Sequence, residues 1–288
     1  MSQAASPSAP AAESAAESAA KAAAPAGGPL FAALEWRGRP VRVEYQWVGV
    51  ADVAAPLVVF LHEGLGSRSM WKDFPEQFCV RHGCRGLVYS RPGYGESTPR
   101  AANERWATDF MHRQAEEVLP ALLAALGVTG RPWLFGHSDG GSIALLYAAA
   151  HPDAVAGLIV MAPHFFVEEK AVTSIRAART AWLETDLKRR LSRYHADPDS
   201  AFWGWNDIWL DPAFLDWDIS AELGRIRCPV LAIQGEDDEY GTLEQVWGIK
   251  RILPATEVVV LPQCGHSPHR DQAEAVMRHA GEFIAAHR

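Results

Sequence analysis

Cysteine is scarce in this 288-residue chain, with only Cys79, Cys84, Cys228 and Cys264. They are spread out and form no C-x-x-C pair. That excludes a zinc ribbon or a disulfide scaffold and fits reduced, mostly buried thiols. Long apolar runs are also absent. No stretch of 18 or more apolar residues is free of charges or breakers, so no membrane span is expected. Basic charge is not in excess either: 27 Lys and Arg face 35 Asp and Glu, a net charge of −8. That balance argues against nucleic acid and anionic membrane surfaces as partners. What is present, 48% hydrophobic and 22% charged residues, suits a soluble globular chain able to bury a full core.

Residues 1–29 are almost entirely Ala, Ser, Pro, Gly and Glu. Such a segment cannot bury enough surface to offset its ordering entropy, and a disordered tail is expected. It lacks the basic start and the Leu- or Val-rich stretch of a signal peptide, so the expected location is cytoplasmic. From Leu30 onward, apolar runs alternate with helical spacing. Residues 41–48 alternate apolar and polar, as a half-exposed strand does. Residues 56–61, 86–89, 132–135, 156–161, 230–233 and 258–261 read as buried strands. Helices are expected over 69–82, 106–126, 141–150 and 272–286. The pattern predicts an α/β fold with a doubly wound, mostly parallel sheet, whose ligands bind where the strands end.

The residues just past these runs are chemically specific. After strand 132–135 comes Gly136-His137-Ser138-Asp139-Gly140, a G-x-S-x-G turn between a strand and a helix. The turn lifts the Ser138 hydroxyl above the sheet, and the backbone N–H of Asp139 can donate to a developing oxyanion. Among eleven histidines, His266 stands out in Leu261-Pro262-Gln263-Cys264-Gly265-His266, directly after the last strand. Gly265 is expected to free that loop to turn toward Ser138. His266-x-x-His269 alone is weak evidence for a metal, since no third ligand is evident. The strand 230–233 runs into Glu236-Asp237-Asp238-Glu239, and one of these acids can orient the imidazole.

Together these motifs resemble the α/β-hydrolase superfamily over roughly residues 30–288. Leu61-His62-Glu63-Gly64-Leu65-Gly66-Ser67 resembles its oxyanion loop, and Ser90-Arg91-Pro92-Gly93-Tyr94-Gly95-Glu96-Ser97 its arginine-proline-glycine turn. The resemblance implies a triad of Ser138, Asp238 and His266, with Asp237 as the alternative acid. It places Gly64 and Asp139 as oxyanion donors. It also divides the chain into a core over 30–164, a helical cap over 165–225 and a second core part over 226–288. Helices are expected in the cap over 172–185 and 186–194, beside Trp182, Trp203, Trp205, Trp209 and Trp217.

The implied activity is hydrolysis of a small carboxylic ester or thioester through an acyl-enzyme, without cofactor or metal. Two other readings stand beside it: a hydrolase of carbon–carbon bonds in ring-cleavage products, and a catalytically silent ligand receptor. The first is weakened because Ser267 comes after the histidine where such enzymes typically carry Trp. Glu63, His164, Trp205 and Trp209 are the candidate substrate contacts. Arg68, Arg91, Arg176 and Arg179 are the candidates to balance Glu63. The expected partner is a small-molecule substrate, with a homodimer as a further option.

Overall fold

The computed structural model describes residues 29–101 and 103–288. All but the last residue of the expected tail lies outside them. Eight strands form one sheet: β1 (Leu30–Trp36), β2 (Arg39–Gly49), β3 (Leu57–Leu61), β4 (Arg85–Tyr89), β5 (Trp133–His137), β6 (Gly157–Met161), β7 (Val230–Gly235) and β8 (Glu257–Leu261). Their order is β1-β2-β4-β3-β5-β6-β7-β8. Pairs from β4 to β8 are parallel, and β1–β2 and β2–β4 are antiparallel. This is the expected α/β architecture. Alternate residues of each central strand enter separate cores on the two faces. Val59, Leu61, Leu134 and Leu158 join one, and Val58, Phe60, Phe135 and Ile159 the other. Burial on both faces is why these strands read as unbroken apolar runs.

Several elements differ from the sequence reading. Strand β1 is not among the strands that the apolar pattern predicts. It pairs with β2 through a turn in which Arg37 (φ 54°) and Gly38 (φ 71°) are both left-handed, and Arg at the first of these positions is not a usual hairpin signal. The helix expected over 69–82 is a 3₁₀ turn at Arg68–Trp71, interrupted at Lys72 (φ 57°), then α1 (Phe74–His82). The helix expected over 106–126 is built from Phe110–Arg113, a π-helical turn at Gln114–Val118 and Leu119–Ala125. Pro120 stands just beyond the π turn. It has no N–H to donate and its ring crowds the preceding turn, a recognised cause of such a bulge.

The segment between β6 and β7 holds Glu169–Glu184, Leu187–Leu191, Pro198–Trp209 and Ser220–Leu223 as helices. Pro198–Trp209 lies outside the helices expected in this segment, although its start carries a signal: the Asp197 side chain accepts from Ser200 N at 2.8 Å, and Pro198 occupies the first turn. Trp182 stacks on Phe202 at 4.1 Å and so ties the first of these helices to the third.

Phe60 anchors one core. It is fully buried, stacks on Phe135 at 5.3 Å and meets Trp71 edge-on at 5.6 Å. Phe60→Ala is expected to lower unfolding stability by about 3–5 kcal/mol. Urea denaturation with an unchanged m-value checks it.

Candidate active site

Ser138 is the hinge between β5 and the helix Asp139–Ala150. Its backbone takes φ 53° and ψ −121°, a conformation costly for a residue with a side chain. Close packing holds it there. A Cβ on Gly136 would lie 2.3 Å from the Gly140 carbonyl oxygen, and one on Gly140 would lie 2.1 Å from that of Leu61. Only glycine allows these approaches.

Strands β5, β7 and β8 are close neighbours in the sheet, so the loops at their carboxyl ends converge. His266 Nε2 lies 2.9 Å from Ser138 Oγ, and His266 Nδ1 lies 2.9 Å from Asp238 Oδ1. Asp238 is buried and also accepts from the backbone N–H groups of Tyr240 (2.8 Å) and Gly241 (3.1 Å) and from Gln234 Nε2 (3.1 Å). Burial opposes its charge. The hydrogen bond from His266, that residue's charge and the Tyr240 N–H prevail and bring its pKa down to about 2. The neighbouring Asp237 is exposed. Geometry thus separates two acids that are adjacent in the sequence.

The loop after β3 is fixed by His62 and Arg91. His62 Nδ1 donates to the Glu63 carbonyl (2.7 Å), and its Nε2 accepts from Arg91 N (3.0 Å). Arg91 Nη2 donates to the same carbonyl at 2.9 Å. The fully buried guanidinium also lies 3.9 Å from Asp139 Oδ2. Burial raises the pKa of Asp139, and Arg91 opposes that rise. Gly64 comes next in this loop and lines the same cavity as Ser138 and Asp139.

Glu63 does not pair with any of the four arginines expected from sequence. Arg68 donates to Glu44 and Gln46, Arg176 to Glu169 and Arg179 to Asp207, while Arg91 takes only the Glu63 backbone carbonyl. The partner is Arg270, with Nη2 3.3 Å from Glu63 Oε1, together with His137, whose Nδ1 lies 3.5 Å from Oε2. Burial disfavours the Glu63 charge, but His137 and Arg270 outweigh it and hold the pKa well below the usual range. His137 fills a variable position of the serine turn, so the sequence gives it no signal of its own. Its Nε2 donates to the His266 carbonyl at 2.6 Å. Glu239 Oε2 accepts from His266 N at 3.1 Å, so the histidine's backbone is held on both sides. Gly265 is not the left-handed residue of this loop; Gln263 is, with φ 51°. His269 turns away and packs 4.8 Å from the Trp71 ring.

A cavity of about 230 Å³ opens over Ser138. All four residues expected at the substrate, Glu63, His164, Trp205 and Trp209, line it, and Ile175, Glu239 and Tyr240 join them. Trp209 Nε1 donates to Asp139 Oδ1 at 3.2 Å. His164 is buried, and burial with the nearby charge of His266 pushes its pKa down to about 3. It is a neutral imidazole at ordinary pH. Burial also lowers the pKa values of His62, His195 and His269.

These neutral histidines link folding to pH. As pH falls below about 6.5 the unfolded chain protonates its histidines while the folded chain does not, so stability declines. For His164 the decline levels off only near pH 3. One such group contributes a slope of about 1.4 kcal/mol per pH unit. Urea unfolding between pH 7.5 and 4.5 is expected to show falling stability. His164→Gln should make that limb shallower by about one proton's worth of slope.

The Alpha/beta hydrolase family model matches residues 58–279. Curated relatives include a 2-hydroxy-6-oxo-6-phenylhexa-2,4-dienoate hydrolase of Burkholderia cepacia, 24% identical, with the match covering 79% of this chain and 87% of that one. A bifunctional esterase/perhydrolase of Acinetobacter calcoaceticus is 27% identical, over 79% and 91% of the two chains. Among solved structures, a thermophilic esterase from Thermogutta terrifontis superimposes with a TM-score of 0.68 at 22% identity, covering 91% of this chain and all of that one. The relatives are hydrolases, and the match to the family model spans most of the sheet and the site: the chain belongs to the alpha/beta hydrolase family.

Proposed function

We propose that the protein is a serine hydrolase that cleaves a small, uncharged carboxylic ester or thioester through an acyl-enzyme. The observation that carries this reading is the hydrogen-bonded series Asp238–His266–Ser138, with both links at 2.9 Å, ending in a cavity. His266 Nε2 takes the proton of Ser138 as Oγ attacks the carbonyl carbon. Asp238 steadies the imidazolium. The N–H groups of Gly64 and Asp139 receive the oxyanion, aided by the positive end of the helix that starts at Asp139. His266 then protonates the leaving alkoxide or thiolate. Water, deprotonated by the same nitrogen, releases the acid and restores Ser138. The helices between β6 and β7 act as the cap that closes over the acyl group, with Trp205 and Trp209 as its inner wall.

The charge of the cavity supports an uncharged substrate. Its lining holds three carboxylates, Glu63, Asp139 and Glu239, and, among the described residues, no Lys or Arg. Arg270 and Arg91 balance the first two from behind. A like-charge contact at about 4 Å costs about 4 kcal/mol at an effective dielectric of about 20. Such a site suits a dienoate poorly, because a dienoate is itself a carboxylate. That counts against the carbon–carbon reading suggested by the Burkholderia cepacia relative's name.

Ser138→Ala is expected to leave the fold intact, to lower kcat on a short acyl ester by about 10⁶ and to abolish fluorophosphonate labelling. Labelling that persists in the variant, or a wild-type protein with no turnover on acyl esters and thioesters, refutes the reading. The latter outcome favours the receptor. In the wild type, kcat/KM for a neutral ester should exceed that for its carboxylated analogue at least about tenfold, and Glu63→Gln or Glu239→Gln should narrow the gap. A wild-type preference for the carboxylated analogue favours the carbon–carbon hydrolase instead.

A further inference from the structure

Trp205 and Trp209 stand four residues apart in the helix Pro198–Trp209, so they share one face. That face meets both residues proposed to supply the oxyanion donors. Trp209 gives its indole N–H to the Asp139 carboxylate, at 3.2 Å. Trp205 sits on Gly64: a Cβ at that position would lie 2.2 Å from Trp205 Nε1 and 2.3 Å from Cδ1. The edge of the indole that carries the N–H, rather than its benzo edge, therefore abuts Gly64.

A buried indole N–H normally finds an acceptor. Trp36 donates to Glu117 Oε2 at 2.7 Å, and Trp209 is satisfied by Asp139. Trp205 is 6% exposed and, among the described residues, its N–H meets no acceptor; the buried Trp71 and Trp217 also lack one, but of these three rings only that of Trp205 lines the cavity over Ser138. The ring lines the cavity together with Ser138, Gly64 and Asp139. A donor fixed at that wall without a protein acceptor suits an acceptor brought by the substrate.

We propose that the Trp205 indole N–H is a third donor to the oxyanion, delivered by the segment between β6 and β7 to a site whose other two donors are backbone groups. This rests on the serine-hydrolase reading above. It makes Trp205 a catalytic residue rather than an apolar wall. It also gives Gly64 a reason to be glycine, since any side chain there would displace the indole.

Trp205→Phe keeps an aromatic wall and removes the donor. On a neutral ester, kcat is expected to fall about 10²-fold, the scale of losing one oxyanion donor, with KM changed by less than about threefold. Affinity for a trifluoromethyl ketone that forms a tetrahedral adduct on Ser138 should fall by a similar factor, as it must for a group that acts in the transition state. Trp205→His, which keeps an N–H, should recover part of both losses. If Trp205→Phe instead raises KM at unchanged kcat, or weakens ketone and substrate alike, the residue is a wall and the proposal is wrong. A measurement on the wild type guards against a variant that fails to fold. The Trp205 indole proton resonance should move downfield when the ketone adduct forms, and an unmoved resonance overturns the proposal. Failure of the underlying reading looks different: the wild type itself would then lack Ser138-dependent turnover, and this proposal would fall with it.

Discussion

The backbone of Ser138 is the constraint on which the rest of the site depends. A residue with a side chain held at positive φ costs about 1–3 kcal/mol and persists only where its surroundings over-determine it. Three contacts do so. Ser138 N donates to the Met161 carbonyl at the end of β6, and Gly141 N donates back to the Ser138 carbonyl. Gly140 presses against the last carbonyl of β3 so closely that no Cβ fits between them. The serine is thus clamped by the strands on both sides of its own. Its hydroxyl points where a free loop would not hold it, and the next helix starts at the very next residue, Asp139.

Charge is arranged around that clamp in compensated pairs. Arg91 is fully buried, an expensive place for a guanidinium unless it is bonded. Its Nη2 donates to the Glu63 carbonyl and lies 3.9 Å from the Asp139 carboxylate, with the Tyr94 ring 4.9 Å away, while Nε and Nη1 have no hydrogen-bond partner among the described residues. In this way it stiffens the loop of Gly64 and offsets the acid beside Ser138. Glu44, buried under the Ser90–Ser97 turn, works in the same manner. It accepts from Arg68 Nε at 2.8 Å and Ser90 Oγ at 2.6 Å, and so anchors the turn that carries Arg91. The Glu63–Arg270 pair extends the pattern to the His266 loop, where His137 holds the backbone carbonyl and Asp238 holds the imidazole.

Much of this is legible in the chain itself. The apolar pattern names seven of the eight strands, six of them as unbroken runs; in five of these, burial on both faces leaves no polar face to interrupt the run, whereas β8, at the sheet edge, is only half-buried over Val258–Val260. The glycines flanking Ser138 mark the two positions of the turn where no Cβ fits. The order serine, acid, histidine, with each residue just after a strand, points to one end of a parallel sheet. The elements that escape such reading lack a local signal or carry a weak one. Strand β1 turns at Arg37-Gly38, without the Asn or Asp that usually marks such a turn. The π turn before Pro120 departs from the helical period only slightly.

The sequence by itself determined the architecture and the strand-to-helix turn at Ser138, because both obey local rules: periodicity of burial, strand-to-helix spacing, and the space that glycine leaves open. Tertiary structure alone decided which partner each polar group takes. Asp238, which the resemblance had already put ahead of Asp237, takes the His266 imidazole together with the Tyr240 and Gly241 N–H groups. The fold gave Glu63 to Arg270 and His137, although four other arginines were plausible on paper. It set the N–H edge of Trp205 against Gly64, 141 positions away in the chain. Pairings of this kind depend on distances between residues remote in sequence, and those distances exist only once the sheet has brought the strand ends together.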